Sequence, residues 1–212
     1  MTEKGVRMGV GGSQHATAIR DVAAGDIPQI AAIHRAELPD DLCALLGQKF
    51  LERIFYPELL RNSDAALCAD DGAGVVGFVF FSSNEQFLRN LVMRYSHRIL
   101  WYGLPNLRKP WFWRYAVEAV MLLAVKDDRL RGSELVYIAV SRARQHAGIG
   151  SSLTRVGLAE LRQRGIGRCW VKTLASTPLN VEFYEKLGFR QFKSHLGRVY
   201  LSLDVATVSD SR

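Results

Sequence analysis

Apolar residues recur along this chain at two spacings, and the changes between them divide it into elements. Residues 17–22 predict a short strand. Ile27, Ile30, Ala31 and His34 then follow at helical spacing, with His34 on the apolar face as a structural residue. Asp26 stands where it would cap that helix, Pro28 falls in its first turn, and Leu38-Pro39 ends it. A second helix is predicted over about residues 42–60, with Leu46, Phe50 and Ile54 inward until Pro57 disturbs it. Residues 65–69 and 74–81 predict a hairpin about the turn Asp70-Asp71-Gly72. Its second strand is apolar almost throughout, so both faces should be covered. Further on, strands are predicted at 135–140 and 169–174, and a last hairpin at 191–194 and 199–203. A helix over 148–164 ends at Gly165, and a short one over 179–187 closes at Gly188. Together these predict an α/β fold, a mixed central sheet of about seven strands with helices on both faces.

Composition bounds the class. The chain has 212 residues, 48% of them hydrophobic and 23% charged, which fits one folded domain over residues 16–204 and excludes wholesale disorder. Residues 1–15, with Gly5, Gly9, Gly11 and Gly12, read as a flexible leader, and 205–212 as a flexible tail. No uncharged apolar run of spanning length occurs, and no signal peptide is visible. Cys43, Cys68 and Cys169 are odd in number and widely spaced, which indicates neither a disulfide framework nor a metal site. Buried free thiols and a cytoplasmic location are expected. The net charge of +7 points to an anionic partner: a phosphorylated cofactor, nucleic acid or an acidic membrane surface.

Candidate chemistry begins where the strand ending at Val140 runs into a loop containing Gln145-His146-Ala147-Gly148-Ile149-Gly150-Ser151. The loop opens directly into an amphipathic helix. Backbone N–H groups and a helix N-terminus then converge on one spot, and the glycines let an anion approach. Arg142, Arg144 and His146 add positive charge. Glycines at a strand–helix junction also serve as plain turn residues. The loop is neither a Walker loop, since no GK[ST] follows, nor a GxGxxG, since Leu153 stands where the third glycine would fall.

A second block, Phe183-Tyr184-Glu185-Lys186-Leu187-Gly188-Phe189, lies about 35 residues beyond Gly150. The two blocks, in this order and separated by a strand, resemble the GNAT superfamily of acyl-CoA-dependent N-acetyltransferases. The resemblance covers residues 17–81 and 134–203. It implies a central sheet splayed between two parallel strands, and acetyl-CoA as co-substrate without a metal. Residues 145–151 would hold the pyrophosphate, and the backbone of Ile138, Ala139 and Val140 would pair with the pantetheine arm. Tyr184 matches the tyrosine that protonates the leaving thiolate; read without the family, it is a helix tyrosine packed beside Phe183. The family often has Asn seven residues before that tyrosine, where this chain has Thr177. The reaction implied is acetyl transfer to a primary amine by direct attack in a ternary complex.

An acceptor amine with a pKa of about 10.4 must lose a proton before it attacks. Glu134, at the start of the central strand, resembles the glutamate base of the histone-acetylating branch, and otherwise reads as a strand-edge carboxylate. Glu37, Asp40 and Asp41 lie in the loop that usually lines the acceptor side, or form a solvated helix-end cluster.

Residues 86–117 align with no family motif and fall in a helical insertion at about 84–131. They contain no Asp or Glu, six Lys and Arg residues, and eight aromatic rings. Three uses stay open beside plain packing: an acceptor lid bearing Arg94 and Arg98, a peripheral membrane contact, and nucleic-acid binding, the least expected because no motif accompanies it. A lid of this composition suits an anionic acceptor such as a nucleotide-linked amino sugar. A CoA-binding module without catalysis, or a membrane- or nucleic-acid-binding protein on the same fold, are the alternatives. The oligomeric state stays open.

Overall fold

A computed structural model describes residues 7–10, 17–109, 113, 117 and 131–207. Eight strands pair into one open sheet: β1 (Arg7–Val10), β2 (Thr17–Asp21), β3 (Ala65–Asp70), β4 (Val75–Ser82), β5 (Ser133–Val140), β6 (Arg168–Leu174), β7 (Arg190–His195) and β8 (Arg198–Asp204). Their order is β1-β2-β3-β4-β5-β6-β8-β7. Every neighbouring pair is antiparallel except β5 and β6.

Seven of the strands stand where the hydrophobic pattern puts them. The eighth, β1, falls inside the glycine-rich stretch read as a leader, and pairs from Arg7↔Ile19 to Val10↔Thr17. Glycine lowers strand propensity, so the local sequence hides it; the open edge of β2 supplies the partner. The tail expected over 205–212 begins otherwise: Val205–Thr207 form a short turn, with Val205 fully buried in the core; the rest of the leader and the residues from 208 lie outside the described residues.

The first helix, α1 (Ile27–Glu37), has the expected bounds, but Asp26 does not cap it. Arg20 on β2 donates to both its oxygens, at 2.6 and 2.9 Å, and Ala23 N donates to Oδ2 at 2.8 Å. A bidentate guanidinium pair outcompetes a cap bond. The predicted 42–60 helix is broken into α2 (Leu42–Leu45), α3 (Gln48–Phe50), a wide π turn at Leu51–Phe55 and α4 (Tyr56–Arg61). Gly47 makes the break, with φ +97°, a left-handed conformation that glycine tolerates. Pro57 lies in the first turn of α4, where its missing N–H costs nothing. The chain then forms α5 (Phe87–Gly103), kinked at Tyr95, followed after β5 by α6 (Ile149–Gln163) and after β6 by α7 (Pro178–Lys186). Most of 110–130, the later part of the predicted insertion, lies outside the described residues.

Apolar side chains leave the sheet on both faces. Phe78 and Phe80 of β4 pack with α1, α4 and α5. Val79 and Phe81 of the same strand face α6 and α7. That double burial explains the nearly continuous apolar run of β4. Helix α6 lies so close that a Cβ built at Gly157 would stand 2.1 Å from Phe81 Cε2. This glycine lets the α6 axis lie close against the sheet.

Candidate active site

The site starts from a break in the sheet. Strands β5 and β6 pair only at Ser133↔Cys169 and Glu134↔Trp170. Beyond that point β5 stays on β4 as far as Val140↔Gly77, and β6 stays on β8 as far as Leu174↔Arg198. The two strands therefore part, and among the described residues the β6-facing edge of β5, including Ile138, Ala139 and Val140, has no strand partner. An unpaired strand edge at a cleft is a row of backbone donors and acceptors open to an extended ligand. A bulge sharpens the geometry. Tyr137 stands opposite Phe80 and Leu135 opposite Phe81, so Val136 is the extra residue. As a result Val136 and Tyr137 both pack toward α1, while Leu135 and Ile138 pack toward α6.

After Val140 the chain makes a short turn, Arg142–Arg144, then the glycine loop, then α6. His146 has φ 63° and Gly148 φ 77°, so two left-handed residues fold the loop back onto the helix start. A Cβ at Gly148 would meet nothing within 4 Å; here backbone conformation, not crowding, asks for glycine. At Gly150 a Cβ would lie 3.6 Å from the Phe183 ring and 3.7 Å from Val140 Cγ2, ordinary contact. The fold alone would accept a side chain there. Ser152 N already donates to Gly148 O. Helix geometry leaves the amides of Ile149, Gly150 and Ser151 as open donors at the positive end of α6. Gln145, His146 and Ala147 are exposed beside them. Such a cradle of backbone donors can receive an anion.

Two distant carboxylates hold the loop. Arg142 N and Gln145 Nε2 donate to Glu37 at 2.8 and 2.9 Å, and Gln145 Nε2 also donates to Val140 O at 3.0 Å. Arg144 pairs with Asp71 of the β3–β4 turn at 2.6 Å. Thus Glu37, expected on the acceptor side, is bonded to the glycine loop, and Arg144 clamps that loop to the β3–β4 turn.

Helix α7 packs on β6 and brings Phe183 against the first turn of α6, across the mouth of the split. Tyr184 is buried between Phe183 and Phe189, with ring centroids at 5.1 and 5.8 Å. Among the described residues its hydroxyl has no hydrogen-bond partner. Burial, and the neighbouring Cys169, push its pKa above the usual phenol value, so it stays protonated at neutral pH. Thr177, standing where the family often has Asn, bonds back to Leu174 O at 2.9 Å, while Asn180 Nδ2 lies 3.5 Å from Thr173 Oγ1.

Glu134 sits at the apex of the split, in the last β5–β6 pair. Lys172 Nζ lies 2.8 Å from its Oε1 and 5.7 Å from the Trp170 ring. Among the described residues the buried indole N–H of Trp170 has no hydrogen-bond partner. In the sequence the only signal for this pair is a lysine inside a largely apolar strand.

The remaining acidic residues divide. Asp41 Oδ1 accepts from Cys43 N at 2.8 Å and faces His34 Nε2 at 3.2 Å; its Oδ2 accepts from Tyr137 at 2.9 Å. His34 is fully buried, with Nδ1 2.6 Å from the Tyr56 hydroxyl. Burial pushes the Asp41 carboxyl up, but the bonds from His34, Tyr137 and Cys43 outweigh it and hold the pKa below the usual carboxylate range. Asp41 is therefore a brace between α1, α2 and β5. Asp40 is exposed. Arg94 and Arg98 are exposed too, stacked over Tyr95 at 5.6 and 5.8 Å. The split, the loop, Tyr184 and Glu134 come together around β5 and β6; Arg94 and Arg98 stand on a separate helix. Among the described residues no cluster of three or more His, Cys, Asp or Glu forms a metal site.

Comparison with known proteins follows the same lines. The profile of the acetyltransferase (GNAT) family matches residues 28–189. A mycothiol acetyltransferase of Streptosporangium roseum is 37% identical over 59 residues, which are 28% of this chain and only 18% of that protein. The crystal structure of SsHAT aligns with TM-score 0.63 at 18% identity, over 89% of this chain and 98% of that one. The structure of yncA, a putative acetyltransferase of Salmonella typhimurium with its cofactor acetyl-CoA, aligns with TM-score 0.56 at 13% identity, over 92% and 98%. At these identities the structures show a shared fold.

Proposed function

Since the chain belongs to the GNAT family of acetyltransferases, we propose that it moves the acetyl group of acetyl-CoA to a primary amine by direct attack. One observation carries this reading: β5 and β6 part immediately after Glu134↔Trp170, and the strand so exposed leads straight into the anion cradle of α6. The cradle fits a pyrophosphate because space is open around Gly148 and backbone amides point into it. Acetyl-CoA supplies an activated thioester. The amides at 149–151 hold its phosphates, and the β5 edge at 138–140 fixes the extended arm by backbone pairing. Tyr184, kept protonated by burial, donates its proton to the departing thiolate. Once Lys172 yields its oxygen, Glu134 takes a proton from the acceptor ammonium, and the freed amine attacks the thioester carbonyl.

One feature supports an acceptor that carries an oxygen or an anionic group near its amine. Glu134 and Lys172 form an ion pair at the apex, Nζ 2.8 Å from Oε1, so an acceptor ammonium meets the carboxylate while its neighbouring oxygen meets the displaced lysine. A nucleotide-linked amino sugar is one acceptor of that kind. Calorimetry with acetyl-CoA, followed by thiol release across a panel of primary amines, tests the whole reading. Absence of both heat and thermal stabilisation at millimolar acetyl-CoA refutes it. Binding without thiol release for any amine would leave a CoA-binding module instead.

A further inference from the structure

The fold around the cleft makes no use of the outer face of α5. Among the described residues nine large hydrophobic side chains are exposed, and six of them lie between residues 93 and 117: Met93, Leu100, Trp101, Leu104, Trp113 and Val117. Trp101 is 72% exposed and Met93 68%. Beyond the kink at Tyr95 the pattern is regular. Tyr95, Ile99 and Tyr102 turn inward onto the α1–α4 core. His97, Leu100, Trp101 and Leu104 repeat at helical spacing on the side facing solvent. Trp113 Nε1 donates to Leu107 O at 2.9 Å, so its polar atom is satisfied while its ring stays out.

The charge that this segment itself carries has one sign. Arg89, Arg94, Arg98, Arg108 and Lys109 are exposed, and residues 86–117 contain no Asp or Glu. Exposed tryptophan and aliphatic side chains rimmed by arginine, with no acid among them, match the boundary between lipid headgroups and acyl chains. We propose that this face docks the protein on an anionic lipid surface. Arginine pairs with headgroup phosphates, and Trp101, Leu100 and Met93 enter the headgroup layer. No helix among the described residues is long and apolar enough to cross a membrane, so the contact is peripheral. A second copy of the chain is a poor occupant, because a two-fold contact would set this acid-free face against itself. Nucleic acid would use the charge and the rings but leave Met93, Leu100 and Leu104 exposed.

The segment leaves the sheet at Ser82, opposite Glu134, which is the far end of β5 from the phosphate loop. Docking through α5 therefore leaves the cradle open to acetyl-CoA. Lipid docking and acetyl transfer are separate properties, and thermal stabilisation by acetyl-CoA reports only the second.

Sedimentation with vesicles tests the docking. Wild-type protein should pellet with phosphatidylcholine vesicles that contain about one-third phosphatidylglycerol, weakly with phosphatidylcholine alone, and weakly at high salt. The double variant Leu100→Ser, Trp101→Ser should partition at least about tenfold less, with its stabilisation by acetyl-CoA unchanged. Arg89→Gln with Arg108→Gln should lose about fivefold per charge. The proposal is overturned if wild type stays in the supernatant with anionic vesicles at low salt. It also falls if the Leu100→Ser, Trp101→Ser variant pellets as well as wild type. Binding to single-stranded RNA without binding to vesicles, or a dimer that buries Trp101, would replace it.

Discussion

Gly150→Glu separates what the fold needs at the glycine loop from what a bound phosphate would need. The position lies in the first turn of α6, and a Cβ there makes only ordinary contacts, 3.6 Å to Phe183 and 3.7 Å to Val140. A helical glycine replaced by a residue with a side chain gains about 0.5–1 kcal/mol. A carboxylate in the first turn adds roughly 0.3–1 kcal/mol through the helix dipole. The variant should therefore melt no lower than wild type. Binding is another matter. A carboxylate about 5 Å from a phosphate charge, at an effective dielectric near 20, costs about 3 kcal/mol per charge. That is more than a hundredfold in Kd. Gly150→Gln, of the same size and uncharged, isolates the steric part and should bind more tightly than Gly150→Glu. Gly148→Ala is the contrasting control, since its φ of 77° makes it lose about 1–2 kcal/mol of stability with no crowding. Calorimetry with acetyl-CoA at low and moderate salt, beside a melting curve, reads both quantities. A folded Gly150→Glu protein that binds within threefold of wild type would refute the assignment of this loop to phosphate.

Tyr184→Phe should lower turnover by roughly a hundredfold where chemistry limits the rate, with acetyl-CoA affinity nearly intact; unchanged turnover in rapid quench would return Tyr184 to packing. Gly157→Ala should destabilise the fold by about 1–3 kcal/mol, because its Cβ meets the Phe81 ring at 2.1 Å, and urea unfolding measures it. Glu37→Ala should weaken acetyl-CoA binding several-fold and leave the melting temperature within a few degrees, since it frees Arg142 N and Gln145 but opens no core. For pH, the lowered Asp41 pKa means that the unfolded chain binds the proton more readily. Its contribution is then present above about pH 4 and lost as pH falls through the native value. Unfolding free energies measured across acid pH should rise less steeply with pH in Asp41→Asn than in wild type.

What the sequence made legible is local. Gln145-x-x-Gly148-x-Gly150 lies within one loop and the Phe183–Phe189 block at one helix end, so spacing alone exposes them. The partners of these motifs lie far along the chain. Glu37 meets Gln145 across 108 residues, and Asp71 meets Arg144 across 73. Nothing near Glu37 distinguishes a loop clamp from an acceptor ligand; both are carboxylates at the end of a helix. The bulge at Val136 is hidden for a different reason. Leu135 to Val140 is apolar in every position but one, so a one-residue shift leaves no break in the pattern, although it decides which face Tyr137 takes. Gly47 was readable as a glycine, yet the flanking helical spacing concealed that the chain turns there.

Helix α1 then has a part in the site that its apolar periodicity never suggested. Past Glu134, strand β5 gives up its β6 neighbour to make the cleft, and a strand open on one edge is free to shift. Two contacts from the end of α1 and the turn after it restrain that same half of the strand. Asp41 holds Tyr137 at 2.9 Å, on the bulge. Glu37 holds Arg142 N and Gln145, just beyond Val140. One lies at the start of the open edge and the other at its exit into the anion cradle. Asp41 is itself fixed by Cys43 N and His34, and His34 by Tyr56, so the restraint runs back into the packed aromatic layer against β4. The acidic turn stiffens the strand edge that an extended cofactor arm would pair with, which explains why two of its three carboxylates are already bonded within the protein and only Asp40 is left to solvent.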